Sequence, residues 1–309
     1  MELKHLKENF EQYFSEVFGE EFLEIKKQFF SYKRKAIRAN TIKIQPEKLY
    51  NLLTEKGIKL EKIPFIDCGF FLETNVTLGN LLEHSLGYFY VQDASSMIPP
   101  LVLDPKPEEL VLDVAAAPGS KTTQMAAMMN NEGLIIANDV SGDRLSILAM
   151  NLQRMGVKNV ITVLSDASVE QIPFKFDKIL LDAPCSATGT ISIDEPSPAK
   201  MWNPKTWKRM SKIQLKLLNN VWNFLKVGGI LVYSTCSIDP MEDEYVITEF
   251  LNSHNDAELI PIELNIKRYP SIKEFHNQKF HENVDYCLRI LPHFYQSEGF
   301  FVAKLRKKA

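Results

Sequence analysis

The second half of the chain carries a repeating apolar pattern. Short apolar runs, LVLDV (110–114), GLIIAND (133–139), VITVLSD (160–166), FDKILLDA (176–183) and GGILVYST (228–235), predict strands. Their continuity, without polar alternation, predicts burial on both faces, as inside a parallel sheet. Amphipathic stretches at 120–130, 141–156, 206–226 and 241–254 predict helices, with Ser141 as an N-cap. Strand then helix, repeated, predicts an α/β fold with a doubly wound, mostly parallel sheet. Two further strands are expected in the tail, at 257–262 and 299–308, with a polar loop between them.

Residues 1–92 read differently. Leu3, Leu6, Phe10, Phe14 and Val17 predict one helix over 3–30. AIRANTIKI (36–44) alternates like a strand, and residues 46–57 form a short helix with Pro at its start and Gly at its end. Further strands near 58–65 and 71–74, then LGYFYVQD (86–93), complete a smaller α+β unit. Four prolines between 99 and 107 predict a linker. The expected division is 1–92 and 93–309.

Composition changes this picture little. The chain is 309 residues long, 45% hydrophobic and 24% charged, with a net charge of −3. The charge is unevenly spread. Residues 26–48 hold eight Lys or Arg against one Glu, and residues 200–216 hold six against no acid. Two local basic patches suggest a polyanion, although either alone also fits a solvated helix face. Trp202 and Trp207 in the second patch suit base stacking or plain packing about equally. The four cysteines form no CxxC pair and no histidine has ligand spacing, so no metal is expected. No apolar leader or spanning segment is read, and free thiols suit a reducing cytoplasm.

Chemistry concentrates at strand ends. Cys185 follows Asp182 in DAPCSATGT, and Cys236 stands in a near copy, YSTCS. If these strands are neighbours, two thiols and a carboxylate share one crevice, which suggests covalent catalysis. The alternative is two structural cysteines. Small residues and Gly189 after Cys185 are expected to let a substrate approach the backbone. DVAAAPGSK (113–121) is a small-residue turn opening a helix, without the spacing of a dinucleotide fingerprint or a P-loop. Asp139, Asp166 and Asp182 end three successive strands, a set that favours a nucleoside cofactor.

AAAPGSK, NDVSGDR, DAPCSATGT and YSTCS, in this order, resemble the RNA cytosine-C5 methyltransferases of the Sun/RsmB family. RANT (38–41), QDASSMIPPLVL (92–103) and the ending ILPHFYQSEGFFVAK extend the resemblance over nearly the whole chain. It implies a Rossmann-like methyltransferase domain behind a smaller N-terminal α+β domain. It also implies S-adenosylmethionine wrapped by Ala115, Ala116, Ala117, Pro118, Gly119, Ser120 and Lys121. Asp139 then holds the ribose, with Arg144 beside it, Asp166 lies near the adenine, and Asp182 borders both cofactor and target base. Cys236 is the nucleophile and Cys185 assists release. One departure is ISIDEPSPAKMW (191–202), with Asp194 and Glu195 where a basic cluster is expected. Glu282-Asn283-Val284, a motif of DNA cytosine methyltransferases, lies far downstream and reads as coincidence. The expected partner is RNA, transfer RNA ahead of ribosomal RNA, bound by a monomer. Competing readings are a methyltransferase on a non-RNA substrate and a catalytically silent RNA-binding or assembly factor.

Overall fold

A computed structural model describes residues 5–74, 76–170 and 172–309. Helices α1 (Glu8–Phe18) and α2 (Glu21–Phe29) open the chain. They replace the single helix expected over 3–30, of which Leu3 lies outside the described residues. Gly19 ends α1 at φ 56°, a conformation that an L side chain resists, and the chain turns there. Strand β1 (Lys35–Ala39) stops short of the expected 36–44, because residues 41–43 turn toward helix α3 (Pro46–Glu55). Strands β2 (Lys59–Lys62) and β3 (Gly69–Glu73), helix α4 (Leu82–Ser85) and strand β4 (Phe89–Val91) complete a four-stranded antiparallel sheet in the order β2-β3-β1-β4.

The proline-rich stretch is not a linker. Residues 98–103 form helix α5 (Ile98–Leu103), with Pro99 and Pro100 in its first turn, where a missing N–H costs nothing. Ile98, Pro99, Pro100, Val102 and Leu103 are buried, and the helix packs under the main sheet among Val111, Leu180 and Val232.

The main sheet is built from β5 (Leu110–Asp113), β6 (Leu134–Asp139), β7 (Val160–Leu164), β8 (Phe176–Asp182) and β9 (Leu225–Thr235), all parallel. Alternate positions face two cores. Val111, Ile135, Leu180 and Val232 meet α5 and α6 (Ser120–Met128). Leu112, Ile136, Ile179, Leu231 and Tyr233 meet the later helices α9 (Thr206–Trp222) and α10 (Glu244–Ser253). Helix α7 (Gly142–Met155) covers Ala137 through Leu148 and Leu152. It begins as the sequence indicates, with the Ser141 hydroxyl accepting from the Arg144 N–H at 3.4 Å. Helix α8 (Ser197–Met201) lies in the loop after β8.

Strand β10 (Ala257–Leu259) and the final β14 (Phe300–Lys307) extend the sheet, giving the order β10-β14-β9-β8-β5-β6-β7, with β14 antiparallel to both its neighbours. The segment between them is more than a polar loop. After the short hairpin of β11 (Glu274–Phe275) and β12 (Gln278–Lys279), β13 (Leu288–Ile290) pairs with β14 and is wholly buried. Its Arg289 donates to Asp243 at 2.9 Å and to Glu244, a buried ion cluster that ties the tail to α10. Glu282-Asn283-Val284 lies in a tight turn after the β11–β12 hairpin, where Val284 packs on Met241 and Phe280 and Glu282 is exposed.

Two features position the site. The chain runs outward from β5 to β7 and then returns to place β8 on the other side of β5. This reversal opens a crevice at the carboxyl ends of β5 and β8. Meanwhile α1 and α2 share a core with Ile191, Trp202, Ile238 and Leu291, so the N-terminal helices buttress the loops that follow β8 and β9. Among the described residues no helix is long and apolar enough to cross a membrane.

Candidate active site

Strands β8 and β9 pair in register, Asp182 opposite Ser234. Their following turns therefore run side by side. Cys185 and Cys236 meet there with sulfurs 3.1 Å apart. Their approach depends on Gly189. A side chain at this position would lie 2.3 Å from the Gly299 carbonyl oxygen and 2.8 Å from that of Cys236. The Gly189 N–H donates to the Cys236 carbonyl, and the Gly299 N–H donates to Gly189, both at 2.9 Å. The glycine therefore admits neighbouring backbone, where the sequence had suggested access for a substrate.

Asp182 sits at the foot of the two thiols. One oxygen accepts from the Ser234 hydroxyl at 2.7 Å, the other from the Lys121 ammonium at 2.6 Å. Lys121 also donates to the Ser96 hydroxyl at 3.1 Å and lies 5.4 Å from the Phe300 ring centre. Burial alone would lower this lysine, but the Asp182 carboxylate outweighs it and holds the ammonium above its ordinary value. Lys121 thus belongs to the reacting crevice as much as to the turn that carries it. A hydrogen bond with Cys236, then burial, push the Cys185 thiol well up. Such a thiol is a poor acid and, once ionised, a strong base.

The turn 115–121 stands beside this cluster. The Ala117–Pro118 peptide is cis, and Gly119 has φ 106° and starts α6. A side chain on Gly119 would meet Leu148 at 2.7 Å. Asp139 is 1% exposed and supports the turn. Its carboxylate accepts from the Ala117 N–H at 3.2 Å and the Ser141 N–H at 3.1 Å. Arg144 lies 3.4 Å from it and also donates to the Ala117 carbonyl. With half its side chain exposed, Arg144 lies on the solvent side of the buried Asp139. Asp166 is exposed just past β7 and accepts from the Ser168 N–H at 2.9 Å; the Ser168 hydroxyl, then this N–H, lower its carboxyl. The fold therefore brings the turn, Asp139, Asp166 and Asp182 to one edge of the sheet. A cradle of small residues, backbone N–H groups at a helix start and carboxylates in reach of hydroxyls suits a nucleoside bearing an amino acid.

Sequence reading missed three members of the site. Ser234, which holds Asp182, is legible only once β8 and β9 are known to pair. Asp113, 1% exposed, accepts from the Thr122 hydroxyl at 2.7 Å beneath the turn. Glu242, wholly buried, touches both thiol-bearing turns.

A cavity of about 500 Å³ opens beside Cys185, lined among others by Met201, Trp202, Asn203, Lys205 and Arg209. Lys205, Arg209 and Lys212 are exposed and make no ion pair among the described residues. The other basic patch is largely neutralised. Lys26, Lys27, Lys33 and Arg34 pair with Glu11, Glu24, Glu298 and Glu61. Arg38 is buried against Gln92 and Thr123, and Lys43 donates to backbone carbonyls. Trp202 packs on Phe10, Tyr13 and Phe14, and Trp207 on Tyr245 and His276, so both tryptophans serve packing.

Comparison with known proteins decides the family. The profile of the family described as 16S rRNA methyltransferase RsmB/F matches residues 100–306. The chain belongs to the RsmB/F methyltransferase family. A second profile, the N-terminal domain of 16S rRNA methyltransferase RsmF, matches residues 6–94. A tRNA (cytosine(49)-C(5))-methyltransferase of Pyrococcus abyssi is 44% identical over 89% of this chain and 88% of its own length. Ribosomal RNA small subunit methyltransferase F of Shewanella amazonensis is 42% identical over 89% of this chain, which spans 58% of that relative. Among solved structures, a methyltransferase homologue from Pyrococcus horikoshii superposes with a TM-score of 0.86 at 37% identity, covering 96% of this chain and 93% of its own. NSun6 from the same organism, solved with SFG, gives 0.87 at 26% identity, covering 98% of each chain. The family agrees with the expected RNA cytosine-C5 methyltransferase and its Rossmann-like fold.

Proposed function

We propose that the chain transfers a methyl group from S-adenosylmethionine to carbon 5 of a cytosine in structured RNA, transfer RNA ahead of ribosomal RNA, through a covalent bond to Cys236. The observation that carries this reading is the meeting of two thiols at the ends of adjacent parallel strands, above Asp182. The choice of transfer RNA is supported by the 44% identity to a relative named for that substrate.

S-adenosylmethionine supplies the electrophilic methyl group. Residues 115–121, Asp139, Arg144 and Asp166 hold it at the sheet edge. Carbon 5 of cytosine is a poor nucleophile until the Cys236 sulfur adds at carbon 6 and makes the ring enamine-like. Asp182 accepts a hydrogen bond from the amino group or a protonated ring nitrogen as charge develops, and Lys121 balances its charge. After methylation a base must take the carbon-5 proton. That electron pair re-forms the ring double bond, and the carbon–sulfur pair returns to Cys236 as thiolate. Cys185 is the side chain placed to take the proton, as the thiolate it becomes once its own proton has passed to solvent. Residues 1–92 and the patch at 200–216 position the RNA, and the cavity beside Cys185 receives it. The target must leave its stack to reach the thiols.

Bisulfite sequencing of tRNA and rRNA incubated with the protein and S-adenosylmethionine tests the substrate. A new protected cytosine is expected in tRNA, and none in either RNA would overturn the reading. Denaturing gels test the covalent step. Cys236→Ala should form no protein–RNA adduct, whereas Cys185→Ala should accumulate one. The reverse pattern would exchange the two roles.

A further inference from the structure

Glu242 is 0% exposed and pairs with no cation among the described residues. Arg289, the buried arginine of β13, is committed to the neighbouring Asp243 and Glu244. An isolated buried carboxylate is costly, so its hydrogen bonds matter. One oxygen accepts from the backbone N–H of Ser186, next to Cys185, at 2.9 Å, and from the Gln214 amide at 3.0 Å. The other oxygen accepts from the hydroxyl of Ser237, next to Cys236, at 3.3 Å. Gln214 donates as well to the Pro184 carbonyl at 2.9 Å, and the Tyr233 hydroxyl donates to the Glu242 carbonyl at 2.7 Å. One side chain, itself fixed at its backbone, thus spans the two turns that carry the thiols.

We propose that Glu242 is a positioning residue that holds the Cys185 and Cys236 turns in register, so that Cys185 reaches the carbon-5 proton and the Cys236 adduct resolves. This rests on the covalent reading above. The bridge works through length. Besides Glu242, the turns are joined by Ser186 and Ser237 at 3.3 Å, Thr188 and Ser237 at 3.1 Å, the Ile238 N–H and the Thr188 hydroxyl at 3.1 Å, and the Gly189 N–H and the Cys236 carbonyl at 2.9 Å. These are neutral contacts, individually weaker than those to a carboxylate. The charged and titratable groups facing Glu242 are Asp239, Asp243, Tyr13, Tyr233 and Cys185. None of them can supply a cation in its place.

Two near-isosteric variants separate length from charge. Glu242→Gln keeps the length and can accept from Ser186 and Gln214 while donating to Ser237. Glu242→Asp keeps the charge but is one methylene too short to span both turns. The readouts are adduct formation and adduct lifetime on denaturing gels, with S-adenosylhomocysteine binding as the measure of an intact fold. Glu242→Gln should release product within a few-fold of wild type. Glu242→Asp should form the adduct normally and prolong its lifetime by on the order of 100-fold, as for a reacting group misplaced by about 1 Å. Normal release by Glu242→Asp, or stalled release by Glu242→Gln, would overturn the proposal. If Glu242→Asp does not bind S-adenosylhomocysteine, Ser237→Ala cuts the same bridge at its other end. Stalled release there supports the bridge, and normal release overturns it. Wild-type protein that makes no 5-methylcytosine would instead sink the covalent reading itself.

Discussion

At the scale of single residues, the acids of the sheet edge divide by what surrounds them. Burial pushes Asp113 up to about 7, with the Thr122 hydroxyl offsetting part of the cost. A carboxyl raised in the fold binds its proton more tightly there than in the unfolded chain. Its contribution to stability is therefore full below the unfolded value near 4 and is lost as pH rises through about 7. Asp239 and Glu298, also pushed up to about 7, slope the same way. The difference between Asp113→Asn and wild type isolates Asp113. The variant should gain melting temperature relative to wild type as pH goes from 5 to 8, and a pH-independent difference would show that Asp113 does not titrate there. Two backbone N–H groups and Arg144 engage Asp139. Removing it loses the brace of the turn and, on the proposed reading, the acceptor for the ribose hydroxyls. Asp139→Ala should weaken S-adenosylhomocysteine binding by about 1–3 kcal/mol in calorimetric titration. Unchanged affinity would move the cofactor away from this turn.

At the scale of elements, the two thiol-bearing turns work as one unit because Gly189 lets three backbones converge. Gly189→Ala would place a methyl 2.3 Å from a carbonyl oxygen of the chain itself, a contact no side-chain rotation relieves. The variant should lose turnover by at least roughly tenfold, as expected for displaced reacting groups. Its cofactor affinity should stay near wild type, since the 115–121 turn lies on another strand. Equal loss of both would mean that the whole crevice collapses. These turns were legible in the sequence because both follow strands buried on both faces, and Asp182, Cys185 and Cys236 fell where strand ends must lie. What escaped was set by tertiary contact. The prolines at 99–107 look like a linker until Pro99 and Pro100 are seen in a first helical turn, under Leu180 and Val232. The apolar period over 3–30 runs unbroken through Gly19, so only its positive φ reveals two helices. Glu242 lies in an acidic run, MEDE, that reads as a solvated helix start. Its burial follows from the packing of α9 and α10 on the sheet, which no local pattern encodes.

At the scale of the whole molecule, a chain of net charge −3 must meet a polyanion through a local footprint. The sequence offers two patches of similar charge, and ion pairing distinguishes them. At 26–48 the Lys33 and Arg34 charges are engaged by Glu298 at 2.9 Å and Glu61 at 2.6 Å. A phosphate would have to displace a carboxylate at each, so little counterion would be released on binding. Lys205, Arg209 and Lys212 stand exposed, and the first two line the cavity beside Cys185. On the proposed reading they meet the phosphates flanking a base delivered to the thiols. Each phosphate neutralised contributes about 0.7–0.9 to the slope of log affinity against log salt. Neutralising Lys205, Arg209 and Lys212 together should therefore flatten that slope by roughly 2–3 for a tRNA transcript in filter binding. Neutralising Lys33, Arg34 and Lys35 together should change the slope far less and lower the melting temperature, because Glu298 and Glu61 lose their partners. A flattened slope in the second triple variant, with none in the first, would put the phosphate contacts on the 26–48 patch and leave the 200–216 face to solvent.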